Sequence, residues 1–333
     1  MKIISDIKCK NVLVSPLDWG LGHSSRMIPV IEELKKNQNK VTVVCGFGSY
    51  DFLRAELLGS EIIKIKEKRI KYPQGKINFF TFLNWIFVMI FNTINEKLKI
   101  KKIIREKNIE VVISDNRYGL NFKGLECYIV THQICPRLPE RMKIFQRISD
   151  FVFIAVLKRF KKVLIPDLET GFSLTGKLGA DSSDGKKFVK IGILSRFSSK
   201  KKTEITKKYD YLILISGQEK QRTVFENFLL KKISNTAKKI LFIRGVFSSQ
   251  VAELKDFNNV KFLNNLTGED LKQAFLEAET VICRAGYSTI CDIMALNKKA
   301  IIFPTPGQTE QEFLAQRLNK KYGFVFGDNS LSF

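Results

Sequence analysis

Residues 280–292 read TVICRAGYSTICD. A short apolar run, 280–283, is followed by a glycine loop and by two hydroxyl residues that open an amphipathic stretch, 287–297. That order describes a strand, a tight loop and a helix N-terminus, the repeating half of a parallel α/β unit. The same grammar runs outward in both directions. Strands are expected near 209–215, 238–243, 260–263 and 299–303, with helices near 220–234, 269–277 and 309–320. Toward the N-terminus, strands are expected near 11–15, 41–45, 61–65, 109–114 and 127–131, with helices near 25–37, 49–58, 79–106 and 139–160. Such alternation produces parallel sheets covered by helices. A polar segment, 170–187, separates two such series. The expectation is an α/β protein of two Rossmann-like domains, 1–165 and 166–333, a division that suits 333 residues.

Hydrophobic residues at 44% and charged residues at 27% exclude wholesale disorder, and 8 Pro with 20 Gly exclude a collagen-like chain. The net charge of +23, from 56 basic and 33 acidic residues, calls for an anionic partner such as a membrane surface or a phosphorylated substrate. The basic set is 42 Lys and 14 Arg, whereas base readout relies on the guanidinium fork, so nucleic acid is not the expected partner. Six scattered cysteines and two histidines leave no zinc-ligand spacing, and no Asp-x-Asp cluster is available for a divalent ion, so no metal is expected. Apolar settings for several cysteines and an N-terminus without a signal-peptide layout point to the cytoplasm.

Residues 79–91, FFTFLNWIFVMIF, are apolar on all sides. As a helix they span about 20 Å, short of the roughly 30 Å hydrocarbon core, so they are not read as a transmembrane span. Two readings stay open: a fully buried helix, or one partly inserted in a membrane interface beside the basic flank 96–107. Residues 151–162 repeat the apolar-then-basic order and read as a helix running into a strand.

Four loops carry candidate chemistry. The first, 16–26 (PLDWGLGHSSR), sets Gly20 and Gly22 in a turn before a helix, with Ser24 or Ser25 as its cap, His23 as a group able to accept a proton, and Arg26 just beyond. Asp115, after the strand 109–114, is a rival base in the same domain. In the second, 216–222 (SGQEKQR), Ser216, Gly217 and Gln218 suit a phosphate, and equally an ordinary strand–helix turn. The third supplies Arg284, Gly286, Ser288, Thr289 and Asp292; a carboxylate there can accept from both hydroxyls of a ribose, while Thr289 and Asp292 also have capping-box spacing. The fourth, 304–311 (PTPGQTEQ), offers Gln308, Glu310 and Gln311 to sugar hydroxyls. The last three loops all follow parallel strands, where open α/β sheets bind ligands.

These loops, in this order, resemble the two-domain GT-B glycosyltransferases, and most closely glycosyltransferase family 28. DWGLGHSSR matches the family's glycine-rich loop with histidine, RAGYSTICD its R-A-G-x-S-T-x-x-E signature, and PTPGQTEQ its P-x-P-x-x-x-x-Q loop. The resemblance implies two domains facing across a cleft, with a UDP-sugar on the C-terminal one and the acceptor on the N-terminal one. It implies that Asp292 holds the ribose, Ser288 and Thr289 the phosphates, Gln311 the sugar, SGQEKQR the diphosphate, and that His23 is the base. Asp292 stands where the family carries glutamate, the diphosphate loop has one glycine instead of two, and the chain stops at Phe333 before any helix crossing back to the first domain.

The expected activity is transfer of N-acetylglucosamine or another hexose from a UDP-sugar to a hydroxyl of a lipid-linked or envelope acceptor, without a cofactor, at the inner face of the plasma membrane. The alternatives are a nucleotide-sugar epimerase or hydrolase of the same fold, and a basic nucleotide-binding protein without catalysis.

Overall fold

Runs of Val, Ile and Leu become strands buried on both faces. Val12, Leu13 and Val14 are all fully buried, as parallel strands covered by helices require. The structure is a computed structural model. It describes residues 1–18, 20–66, 79–134, 144, 146–176, 185–197, 206–234, 236–246, 257–328 and 331, with the backbone alone over 79–90.

Two compact units are present, Met1–Ile193 and Leu194–Phe333. In the first, the elements run α1 (Lys2–Ser5), β1 (Asn11–Pro16), α2 (Leu21–Lys36), β2 (Lys40–Cys45), α3 (Phe47–Glu56), β3 (Glu61–Lys64) and α4 (Phe79–Glu106). They continue with β4 (Val111–Asp115), β5 (Glu126–Val130), α5 (Gln146–Leu157), β6 (Lys162–Ile165) and β7 (Phe188–Lys190). These strands form one parallel sheet in the order β3-β2-β1-β4-β5-β6-β7. The second unit has β8 (Tyr209–Leu214), α6 (Gln221–Ile233), β9 (Ile240–Ile243), β10 (Val260–Leu263), α7 (Gly268–Glu277) and β11 (Ala278–Arg284). Then come α8 (Tyr287–Ala295), β12 (Lys299–Phe303), α9 (Thr309–Leu318) and β13 (Phe324–Phe326). Its sheet has the order β10-β9-β8-β11-β12-β13. Both sheets therefore reverse direction beside their first strand, at β1/β4 and at β8/β11, and the loops leaving those strands flank the crevice where Rossmann-type sheets take ligands.

The unit boundary lies 28 residues beyond the expected 165/166, because β7 pairs with β6 from Val163↔Phe188 to Ile165↔Lys190 and so belongs to the first sheet. Part of the polar segment is also organised. The buried Asp167 accepts bonds from the Ser173 and Thr175 hydroxyls at 2.5 and 2.7 Å and from the Leu174 amide at 2.7 Å. The helix expected from residue 25 begins at Leu21, with Gly20 as its N-cap at φ 139°, a conformation that suits glycine. Gly22, His23, Ser24 and Ser25 consequently lie in the helix and not in a loop, and neither serine caps it. The helix expected over 139–160 is described as Gln146–Leu157, and residues 135–143 lie outside the described residues.

The apolar stretch 79–91 forms the first half of α4, but the side chains of 79–90 lie outside the described residues. Farther along α4, Ile100, Ile103 and Ile104 join the core of the first unit, while Phe91, Ile94 and Leu98 are exposed. Among the described residues, no helix is long and apolar enough to cross a membrane.

Candidate active site

At the β1/β4 switch point, the start of α2 and the end of β4 bring His23 and Asp115 together. The His23 Nδ1 lies 3.0 Å from Asp115 Oδ2. Arg26, one turn along α2, points its Nε at both Asp115 oxygens, at 3.1 and 3.0 Å, and its Nη2 also bonds Oδ1. The same Nη2 is 2.9 Å from His23 Nδ1, and Arg26 Nη1 is 2.7 Å from Nδ1 of His132, just after β5. Burial would raise the Asp115 carboxyl, but Arg26 and His23 outweigh it and hold it down at about 2. Burial pushes His23 below its ordinary value, and Arg26 adds to that against the pull of Asp115.

The group that can meet a substrate is His23, whose side chain is 20% exposed; Asp115 is fully buried and charge-paired. Asp115 is thus placed to hold the His23 ring and is itself held by Arg26. The tautomer that donates Nδ1–H to Asp115 keeps the His23 Nε2 lone pair for a proton, whereas the tautomer that accepts from Arg26 Nη2 at Nδ1 carries its proton on Nε2. The loop ahead of this site is anchored from its far side: Asp18 accepts bonds from the Gly48 amide at 3.0 Å and the Ser49 hydroxyl at 2.5 Å at the start of α3. His132 escaped the sequence reading because 106 residues separate it from Arg26.

In the second unit, the candidate residues gather at the carboxyl ends of β8, β11 and β12. Gly217, at φ 107°, and Gln218 are exposed after β8, and Ser216 is half-buried. Gly245, after β9, packs so closely that a Cβ would overlap the Ile215 carbonyl, which lets the two loops lie together. Ser288 and Thr289 are half-buried in the first turn of α8, a helix N-terminus, which favours an anion. Gly286, and neither hydroxyl residue, is the N-cap.

Several candidates are committed within their own loops. Arg284 donates to the Pro304 carbonyl at 2.7 Å and lies 3.9 Å from the Phe225 ring centre, tying the loops after β11 and β12 together. Gln311 accepts from the Thr305 amide at 2.9 Å and donates to Gln308 Oε1 at 2.6 Å, so it shapes the PTPGQ turn. Glu310 sits half-buried in the first turn of α9. Asp292 is buried in α8, where its Oδ1 accepts from Ser195 at 2.6 Å and its Oδ2 lies 3.8 Å from Arg196 Nε. The sequence reading missed Ser195 and Arg196, nearly a hundred residues away. Asp292→Ala should therefore lower both stability and UDP affinity, the latter by about 1–3 kcal/mol if the carboxylate also holds a ribose. Ser195→Ala separates the two roles: a drop in melting temperature with unchanged calorimetric UDP affinity is expected, and equal loss of UDP affinity in both variants would make Asp292 a purely structural group.

This arrangement has counterparts. Residues 194–331 match the family model described as glycosyltransferase family 28 C-terminal domain. A UDP-N-acetylglucosamine–N-acetylmuramyl-(pentapeptide) pyrophosphoryl-undecaprenol N-acetylglucosamine transferase of Haemophilus influenzae is 24% identical over 326 residues, covering 95% of this chain and 83% of the relative. Among solved structures, the glycotransferase of kitacinnamycin matches with a TM-score of 0.68 at 13% identity, over 98% of this chain and 88% of that one. Acinetobacter baumannii MurG matches with a TM-score of 0.56 at 15% identity, over 96% and 86%. A seven-stranded 3-2-1-4-5-6-7 sheet and a six-stranded 3-2-1-4-5-6 sheet, matched to these structures over nearly the whole chain, give the protein the GT-B fold of glycosyltransferases. Its C-terminal residues 194–331 carry the match to the glycosyltransferase family 28 C-terminal domain.

Proposed function

We propose that this enzyme moves N-acetylglucosamine or another hexose from a UDP-sugar to a hydroxyl of a lipid-linked or envelope acceptor. The observation that carries the reading is the convergence of the 216–218, 286–289 and 304–308 loops at the carboxyl edge of one sheet, in a unit of family 28. Amides and hydroxyls of the first turn of α8 and of the loop after β8 stabilise the departing diphosphate, so fixed dipoles and not a divalent ion balance its charge. In the first unit, His23 takes the acceptor proton while Asp115 holds the ring. Incubation with radiolabelled UDP-sugars and membrane extract tests this: label should enter the organic phase. Release of free sugar and UDP alone would favour a hydrolase, and no turnover of any UDP-sugar would favour a binding protein.

A lipid-borne acceptor has to be met at the bilayer. Two helices of the first unit suit that encounter. Along α5, Ile148, Phe151 and Val152 are exposed, and along α4, Phe91, Ile94 and Leu98. Both helices flank the 117–122 turn: Tyr118 packs edge-on to Phe153 at 5.4 Å, and Lys97 donates to the Asn121 carbonyl at 2.5 Å. Lys97 and Lys99, which donates to the Lys66 carbonyl at 2.7 Å, are engaged with the fold. Lys101, Lys102 and Arg105 are exposed and form the usable basic flank. Changing those three to Gln should weaken binding to anionic vesicles by about 3 kcal/mol in total at low salt, with the melting curve preserved. Ile148→Ser with Phe151→Ser should abolish sedimentation with vesicles at unchanged stability. A destabilised double variant that still sediments would make α5 a packing helix.

A further inference from the structure

We infer that His132 is a positioning residue, holding the Arg26 guanidinium in the one orientation that clamps Asp115 and fixes His23. Donors and acceptors have to match around the guanidinium. An arginine carries only donors, so the 2.7 Å contact between Arg26 Nη1 and His132 Nδ1 requires His132 to accept there, with its ring proton on Nε2. Nε and Nη2 of the same guanidinium are spent on Asp115, and Arg26 is 3% exposed. Remove the His132 acceptor and the buried Arg26 Nη1 loses that hydrogen bond, which loosens the hold on the fork that faces the carboxylate. His132 is itself 5% exposed and sits on the segment that follows β5, so the acceptor it offers is fixed by the sheet.

The consequence falls on His23. The described ionisable groups that face it are Arg26 from α2, Asp115 from β4 and His132 from the segment after β5. Farther out, Arg117 is committed to the Pro16 carbonyl at 2.8 Å and to Glu96 of α4, and Asp18 to the start of α3. Arg26 opposes protonation of His23 and Asp115 favours it. Turning Arg26 away removes the opposing charge and leaves Asp115 uncompensated, so the titration of His23 should move upward. The proton on His23 Nδ1 is also affected, since Arg26 Nη2 and Asp115 Oδ2 lie within 0.1 Å of equal distance from that nitrogen.

This inference rests on the reading of His23 as the base, but its test does not need substrate. The chain contains two histidines, so protein carrying ring-labelled histidine yields two imidazole signals, and His132→Phe assigns them. In the wild type, the His132 Nδ1 should show the nitrogen shift of an unprotonated, hydrogen-bonded acceptor. In His132→Phe, the His23 titration should move up. In His132→Asn, whose carbonyl oxygen takes the place of Nδ1, it should stay at the wild-type position. Turnover in the phenylalanine variant should fall roughly 10- to 100-fold through misplacement of the base, with the UDP-sugar KM unchanged. A protonated His132 Nδ1 in the wild type would overturn the inference without any variant, as would a His23 titration that ignores a well-folded His132→Phe. Loss of label transfer with the titration coupling intact would strike the functional reading alone; label transfer without the coupling would strike this inference alone.

Discussion

His23→Ala is expected to lower sugar transfer roughly 10²–10⁴-fold while leaving UDP affinity nearly intact, as for a base acting on the acceptor. Its partner positions are all in the first unit, whereas the proposed donor loops are all in the second. The wild-type pH profile should carry the same signature. Because burial and Arg26 together hold His23 below the ordinary 6.5, its protonation should cut the rate only below that pH, and activity should persist where an unperturbed histidine would already be charged. Transfer assays across pH, beside calorimetry with UDP, check both statements. Near wild-type turnover in His23→Ala would remove the histidine from the role. Asp115 would not inherit it, since a fully buried carboxyl held at about 2 neither reaches a substrate hydroxyl nor accepts its proton near neutrality.

Asp115→Ala should cost about 3–5 kcal/mol of stability, because it leaves the Arg26 cation buried without its counter-charge. Arg26 and Asp115 are 3% and 0% exposed, so solvent cannot make good the loss. The pH dependence follows from the same pairing. The Asp115 carboxyl is lowered in the folded protein from 3.8 to about 2, so its contribution is complete above the unfolded value and is lost as pH falls from 3.8 toward 2. Denaturant melts at neutral pH and at pH 3 should show the gap between wild type and Asp115→Ala narrowing in acid. Replacing both partners, as in Arg26→Met with Asp115→Leu, should recover much of the stability while abolishing catalysis. A single variant that melts with the wild type would mean that water already reaches the pair.

Much of the fold could be read along the chain. The strands 260–263 and 299–303 stand where the Val- and Ile-rich runs placed them, and α4, α7 and α9 begin within a residue of their expected starts. Errors cluster where period is too short to register or where one residue's φ decides. β7 is three residues long, too short to show an alternation, and its absence from the reading moved the domain boundary. The start of α2 was placed four residues late, since Gly20 and Gly22 both read as loop glycines when only Gly20 takes the φ that needs one.

The candidate site divides in the same way. Motif residues such as His23, Ser288, Thr289 and Gln308 announce themselves because each lies beside a glycine turn at the end of an apolar run, a signal carried by neighbours in sequence. What each side chain does once there was beyond that signal. Arg284 and Gln311 hold their own loops, Asp292 is bound by Ser195 across 97 positions, and Asp115 is paired with Arg26. The sequence alone determined two parallel α/β units and which loops carry chemistry, because strand and helix periodicity and turn glycines are local properties. Only the tertiary structure decided that His23, Arg26, Asp115 and His132 form one network, because hydrogen bonds of 2.7–3.1 Å depend on strand order and register, which bring together residues that no local pattern connects.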